Sequence, residues 1–396
     1  MSKYTWRMGK KEIEYIKEAI ENQLDGTFNK RLEEKFAERF GVKYAIGVNS
    51  GTSTLHCCLA AMGVTKGDEV IVPPLTYAST AFAAMYLGAV PVFADVDPET
   101  FNIDPKEIEN KVTNKTKAII PVALFGLPPD MKSIMKIAKE NNLLVLEDSA
   151  QCFLGAQNGK ISGTIGDMGS FSLERSKHIT CGDGGMIVTN NEKFAENARK
   201  FSILGYSTLK AKRGETRVSK DEIQDPNFER HLFVSPNYGL PELCAAAALA
   251  QLEHLDEYVN QRIEIGNLYE EVVQDCSWLK SQKIPEGFTH SYWTYGMTLQ
   301  SSNISWHQFR KAYLGTGGDR FYGGFKLIYQ EPALFGMKFP ESNIEYKNGL
   351  CPIAEDIQPK LMQLKTNYTD IDYAKNQVQI LEKTIDKLDK NITCIQ

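Results

Sequence analysis

The sequence predicts an α/β protein: a mostly parallel seven-stranded sheet flanked by helices, with a smaller C-terminal α+β domain. Three observations lead there. Seven short apolar runs recur between residues 44 and 189, helical periodicity fills most gaps between them, and the alternation weakens beyond an alanine-rich helix at 240–260. Strands that alternate with amphipathic helices at this spacing form parallel sheets covered on both faces. Ligands of such folds gather at the carboxyl ends of the strands.

In chain order, a helix at 12–22 and the stretch 30–40 precede the first strand, and the segment 1–40 is expected to pack against the smaller domain. The strand runs are 44–48 (YAIGV), 69–72 (EVIV), 91–94 (PVFA), 118–122 (AIIPV), 143–146 (LLVL), 169–173 (GSFSL) and 185–189 (GMIVT). Helical patterns occupy 52–62, 79–87, 105–112, 131–141 and 193–201. Residues 206–232 are charged and weakly periodic, a long surface loop inside the domain. The large domain is placed at 41–260 and the small one at 261–396.

Composition excludes several classes. The 396 residues carry 45 Lys and Arg against 50 Asp and Glu, a net charge of -5, so no basic excess exists to neutralise nucleic-acid phosphates. The 42% hydrophobic and 24% charged fractions are those of an ordinary globular protein. The longest apolar stretches, such as LHCCLAAMG and TAFAAMYLGAV, are about half of what a bilayer-spanning helix needs. No apolar core follows the charges of the first residues, so no signal peptide is read and a cytoplasmic location is expected. The eight cysteines include no CxxC pair and the six histidines no HExxH, so no metal is expected.

Neither GxGxxG after the first strand nor GxxxxGK[ST] occurs, which argues against a dinucleotide or P-loop enzyme. Three other features follow strands. Asn49-Ser50-Gly51-Thr52-Ser53 joins YAIGV to a helix, so free backbone N–H groups and hydroxyls meet at a helix N-terminus, where an anion is stabilised. Asp148 ends the run LLVLED, where a carboxylate is costly unless it is paired or meets a ligand. Lys177 lies just beyond GSFSL and ahead of the turn Gly182-Asp183-Gly184-Gly185, where an enclosed amine becomes a nucleophile toward an aldehyde. Taken singly these read as a helix cap, a second cap and a solvated loop lysine. Together, phosphate cradle, carboxylate and lysine along one sheet form the layout that pyridoxal phosphate (PLP) needs.

Residues 8 to about 260 resemble the DegT/DnrJ/StrS family of sugar aminotransferases, PLP-dependent enzymes of fold type I. The resemblance rests on VNSGTSTL, VIVPPLTYASTAFA, GAVPVFADVDPETFNID, VLEDSAQCFLGA, GDMGSFSLERSKHITCGDGGMIVTNN and SPNYGLPELCAAAALAQLEHLDE, in that order. It implies that Gly51, Thr52, Ser53 and Ser172 hold the cofactor phosphate, that Tyr77 stacks on the ring and that Gln151 lies beside it. Asp148 would pair with the pyridine nitrogen, and Lys177 would hold the aldehyde as a Schiff base. Asn237 would reach the phosphate of the other subunit, which implies a homodimer with shared active sites. The implied reaction moves the amino group of L-glutamate to a keto or aldehyde sugar, for surface polysaccharide or a secondary metabolite.

Some members carry histidine in place of the lysine and remove a sugar hydroxyl instead. Lys177 and His178 are adjacent here, but counting five from Ser172 and five back from Gly182 both reach Lys177. A PLP-binding regulator without turnover would need a DNA-reading module, which the acidic chain lacks. Departures from the family fall on the sugar side. Asn237-Tyr238-Gly239 replaces Asn-x-Arg, the loop 206–232 is basic at Lys210, Lys212, Arg213 and Arg217, and GTGGDRFYGGFKLIYQEPALFG (315–336) replaces a segment ending in a Tyr-x-Pro-x-His-like run. The basic residues suggest an anionic sugar, and the divergence resembles the branch acting on sugars without a nucleotide, such as a keto-hexose phosphate or oxidised Kdo.

Overall fold

The computed structural model describes residues 8–215 and 218–393, so the first seven residues, Arg217 and Cys394 lie outside it. Seven strands build the main sheet: β1 (Tyr44–Val48), β2 (Glu69–Val72), β3 (Val90–Phe93), β4 (Thr116–Ile119), β5 (Leu144–Asp148), β8 (Met168–Ser172) and β9 (Gly185–Thr189). Between β5 and β8 the chain makes a short ribbon, β6 (Ala156–Gln157) and β7 (Lys160–Ile161). The order across the sheet is β1-β9-β8-β5-β4-β2-β3, and only β9 runs against the rest. Every residue of β2, β3, β8 and β9 is buried, as strands sandwiched between two helical layers must be.

Before β1 come α1 (Lys10–Glu21) and α2 (Thr27–Phe40). Between strands run α3 (Gly51–Ala61), α4 (Ser79–Met85), α5 (Pro105–Lys111) and α6 (Met131–Glu140). After β9 come α7 (Glu192–Ser202), the short α8 (Lys220–Gln224), α9 (Glu242–Leu252) and α10 (Leu255–Val273). Alternate residues of β1 enter opposite cores, Ile46 and Val48 with α3 and Ala45 with α2 and α9. That alternation is the period of two that a strand imposes.

The N-terminal helices correct one expectation: α1 and α2 pack on α9 and β1 in the large domain, not on the smaller domain. The apolar faces of α1 and α2 (Ala19, Phe28, Leu32, Phe36) meet the alanine face of α9, and Glu12 accepts a bond from Gln251 Nε2 at 2.7 Å. The small residues of α9 let the helices approach closely.

The smaller sheet is antiparallel, ordered β10 (Leu279–Ser281), β12 (Thr294–Leu299), β16 (Leu361–Lys365), β13 (Tyr322–Gly323). It packs with α10, α11 (Trp306–Gly315) and α13 (Ile371–Thr393) around Tyr295, Phe309 and Leu381. Strand β11 (Phe288–Thr289) joins the β6–β7 ribbon of the large domain. A second departure concerns the domain limits. Residue 260 falls within α10, and residues 327–357, with the hairpin β14 (Lys338–Phe339) and β15 (Ile344–Glu345) and helix α12 (Pro352–Ile357), turn back onto the large domain. Tyr346 donates to the Pro91 carbonyl at 2.7 Å, and the Ile353 and Ala354 N–H groups donate to Asp95 at 2.8 and 2.9 Å. This segment covers the strand β3, whose outer edge would otherwise be exposed. Among the described residues no helix is long and apolar enough to cross a membrane.

The basic loop differs from its expected role as well. Arg213 binds the buried Glu33 at 2.9 Å and Lys210 lies 3.4 Å from Glu196, so both charges are spent on the large domain itself.

Candidate active site

The carboxyl ends of β1, β5 and β8 meet in one place. Ser50 caps α3 by accepting the Ser53 N–H at 3.1 Å, which leaves Gly51 and Thr52 as the first helical residues without intrahelical acceptors. Thr52 Oγ1 lies 2.7 Å from Ser79 Oγ, tying the start of α3 to the start of α4. Ser53 Oγ donates to Asn49 Oδ1 at 2.6 Å. Ser172, at the end of β8, faces this turn: a Cβ on Gly51 would sit 2.8 Å from Ser172 Cβ and 3.1 Å from its Oγ. Only glycine allows that approach, and it places three hydroxyls and a helix N-terminus in one concave cradle suited to a phosphate.

Asp148 is buried at the end of β5. Thr80 donates to its Oδ2 at 2.9 Å and the Ala150 N–H to its Oδ1 at 3.2 Å. Burial raises its carboxyl above the usual value, while Thr80, the Ala150 N–H and the charge of Lys177 pull it back. Its neighbour Glu147 points the other way and accepts the N–H groups of Gly163, Ile165 and Gly166 at 2.8, 2.6 and 2.6 Å. Adjacent carboxylates on one strand thus face opposite sides of the sheet, one toward the site and one into a backbone cradle.

Lys177 is half-buried in the turn after β8, with Nζ 4.3 Å from the centre of the Trp293 ring. Burial pushes its amine down to about 8; Glu174 and Asp148 oppose that shift and Arg262 adds to it. His178 turns away into the core, its Nε2 2.9 Å from the Ser291 carbonyl and its ring 5.6 Å from Phe153. The lysine, not the histidine, therefore faces Asp148.

Other expected residues are placed less centrally. Tyr77 is 64% exposed, just before α4, with its ring 6.3 Å from Phe325. Gln151 is buried, and its Oε1 accepts the Phe125 N–H at 2.9 Å. Asn237 is exposed and pairs by backbone with Ile203, although the next two residues reach β1: the Tyr238 carbonyl accepts the Asn49 N–H at 2.8 Å, and Gly239 pairs with Val48. Thr80, Trp293, Glu174 and Arg262 are site residues that sequence reasoning missed. Thr80 stood three positions after Tyr77 in PPLTYAST, and Trp293 stood inside HSYWTYGM, so both lay in recognised motifs.

A cavity of about 420 Å³ opens beside the lysine turn, lined among others by Arg175, Ser176, Trp293, Tyr322, Phe325 and Lys365. A larger one, about 600 Å³, lies beside β3 and the 338–347 hairpin and holds none of these residues.

A hydroxyl-lined helix N-terminus, a buried carboxylate and a lysine amine of lowered pKa, all at strand ends of one parallel sheet, define a PLP-dependent transferase. The donor set fits the group: the Gly51–Ser172 approach forms a cradle that any side chain at 51 would fill. The pattern that defines the DegT/DnrJ/EryC1/StrS aminotransferase family matches residues 7–378, and the chain belongs to that family. It is 38% identical over 295 residues to GDP-perosamine synthase of Escherichia coli O157:H7, covering 74% of this chain and 76% of the relative. It is 40% identical over 299 residues to GDP-perosamine synthase of Caulobacter vibrioides, with the same coverage. The aminotransferase structure from Psychrobacter cryohalolentis superposes with a TM-score of 0.86 at 26% identity, covering 98% of this chain and 99% of that one. The protein is a PLP-dependent sugar aminotransferase, with an amino donor and a sugar acceptor as its substrates.

Proposed function

We propose that the chain transfers the amino group of L-glutamate to a nucleotide-linked keto sugar, in the cytoplasm, as a homodimer with shared sites. The observation that carries this reading is the amine of Lys177, lowered to about 8 and set opposite Asp148 while His178 points into the core. Two relatives named as GDP-perosamine synthases support the nucleotide-linked acceptor over a keto-hexose phosphate or oxidised Kdo. Lys177 in the reactive position supports transamination over the dehydratase alternative.

Bound PLP supplies an aldehyde for the amine and a pyridine ring that withdraws electrons from the substrate carbon. Gly51, Thr52, Ser53 and Ser172 would hold its phosphate, and Asp148 would keep the ring nitrogen protonated. Tyr77 would cover the ring from the side on which it is exposed, with Gln151 beside it. Lys177, once free as an amine, is the base that moves a proton at the substrate carbon; a pKa near 8 suits it to both taking and returning that proton. The cavity beside the turn is the acceptor side: Trp293 and Tyr322 offer flat apolar walls, and Arg175 and Lys365 offer charge to phosphoryl oxygens.

For the dimer, Leu232, Phe233 and Val234 are 53%, 43% and 101% exposed in the single chain, next to the exposed Asn237. A second subunit covering this patch would bring Asn237 toward its cradle. The experiment is glutamate-dependent amination of a panel: GDP-linked keto sugar, keto-sugar phosphate, oxidised Kdo and a neutral keto sugar. Turnover of the GDP-linked substrate with stoichiometric consumption of glutamate is expected. Loss of a hydroxyl without net nitrogen transfer would establish the dehydratase instead.

A further inference from the structure

Arg262 lies in the second turn of α10, is 4% exposed, and spends its guanidinium on the backbone of the reactive turn. Nη2 donates to the Lys177 carbonyl at 2.9 Å and to the Ser176 carbonyl at 3.4 Å, while Nη1 donates to the Trp293 carbonyl at 2.8 Å. Trp293 closes the loop: its indole N–H donates to the Ser176 carbonyl at 2.9 Å, and its ring lies 4.3 Å from Lys177 Nζ. One buried cation thus fastens, at the same time, the turn that carries the lysine and the tryptophan on which the amine rests. The planar fork of guanidinium suits three carbonyls, where the compact ammonium of a lysine would reach fewer in fixed directions.

We propose that Arg262 is the positioning residue for Lys177: through the Ser176, Lys177 and Trp293 carbonyls it sets where the reactive amine stands relative to Asp148. The inference rests on the reading of Lys177 as the reactive residue. Two consequences follow from the geometry. Without the clamp the turn is free to shift, and displacement of a reacting group by about an ångström costs on the order of 10²-fold in rate. The cation also acts directly on the amine. The charged groups facing Lys177 are Glu174 from its own turn, Asp148 from β5 and Arg262 from α10. The two acids favour the ammonium, while Arg262 and burial favour the amine.

The test compares Arg262→Met and Arg262→Lys with the wild type in full-length protein. Competitive acetylation of the cofactor-free enzyme, followed by mass spectrometry of the Lys177 peptide, reads the amine across pH 6–11. Wild-type labelling of Lys177 should rise with pH through a midpoint near 8, whereas exposed lysines have their midpoint at about 10.4. Arg262→Met should move the Lys177 midpoint to higher pH and lower holoenzyme kcat by about 10²-fold, with the acceptor KM little changed. Arg262→Lys keeps the charge and loses the fork, so its midpoint should return while kcat stays low. A purely structural arginine gives another pattern: a lower melting temperature with wild-type midpoint and kcat, and that result overturns the proposal. If Arg262→Met does not fold, Arg262→Lys decides, since wild-type kcat there also overturns it. The parent reading fails separately, through an active Lys177→Ala enzyme.

Discussion

Two clusters of charge border the β1–β9–β8 part of the sheet, Glu33 beside β1 and Lys177 just beyond β8, and they are built differently. At Glu33, burial alone would raise the carboxyl, yet Arg199 and Arg213 overcome it and hold the group below its usual value. Arg199 binds Glu33 through both guanidinium arms at 3.0 and 2.9 Å, Arg213 adds 3.2 and 2.9 Å, and the Gly47 N–H adds 3.1 Å. At Lys177, the opposing acids do not overcome burial, and the amine stays well below its ordinary value. The first cluster is compensated and serves as an anchor for α2, α7 and the basic loop. The second is left short of compensation, which suits its amine to the reactive role proposed for it. Perturbed ionisation in a cleft with a specific charge partner is the usual mark of a working site.

The sharpest break of this contrast removes the reagent. Lys177→Ala should lose about 10⁴-fold or more in turnover with no loss of folding, because it removes the amine proposed to move the proton at the substrate carbon. Steady-state amination and a thermal melt measure both; retained activity would sink the assignment. Next in size is the anchor. Glu33→Gln leaves a buried guanidinium without its counter-charge, so it should cost about 3–5 kcal/mol of stability. Turnover per folded molecule should hardly change. Denaturant unfolding beside kcat tests that separation, and an activity loss without destabilisation would erase the distinction drawn between the clusters.

How much of this could be read beforehand depends on distance along the chain. The buried strands were legible because EVIV and GMIVT are continuous apolar runs, and Lys177 was legible because Ser172 and Gly182 bracket it locally. Arg213 was misread as a contact for an anionic sugar because its true partner, Glu33, lies 180 residues away. Arg262 and Trp293 reach the lysine turn from 85 and 117 residues beyond it, a closure that no local pattern encodes. Residues 327–357 looked like part of the small domain, since only tertiary packing reveals that β3 has an edge to be covered.

A smaller effect separates cofactor binding from catalysis. Asp148→Asn keeps the shape and the Thr80 contact but removes the negative charge that would hold a protonated pyridine nitrogen. Activity should fall about 10²-fold while phosphate-side binding, proposed for residues 51–53 and Ser172, persists. Absorbance of bound cofactor measured alongside kcat distinguishes the two. Full activity would mean that Asp148 serves only as an acceptor for Thr80 and the Ala150 N–H.

The smallest prediction concerns Glu147, a buried carboxylate that has neutral donors where Glu33 has cations. Burial raises it from 4.5 to about 6 despite the three N–H groups of residues 163–166 that hold it down. A carboxyl raised in the folded state binds its proton more tightly there than in the unfolded chain. Stability therefore falls as pH rises from 4.5 to about 6 and is flat above that window, a loss on the order of 2 kcal/mol. Glu147→Gln removes the titration, so the melting temperature of the wild type relative to the variant should drop across that window and then stay constant. A difference that does not change between pH 4 and 7 would show that three backbone N–H groups suffice to hold a buried carboxylate ionised. Guanidinium partners would then be unnecessary for an anchor of the kind built at Glu33.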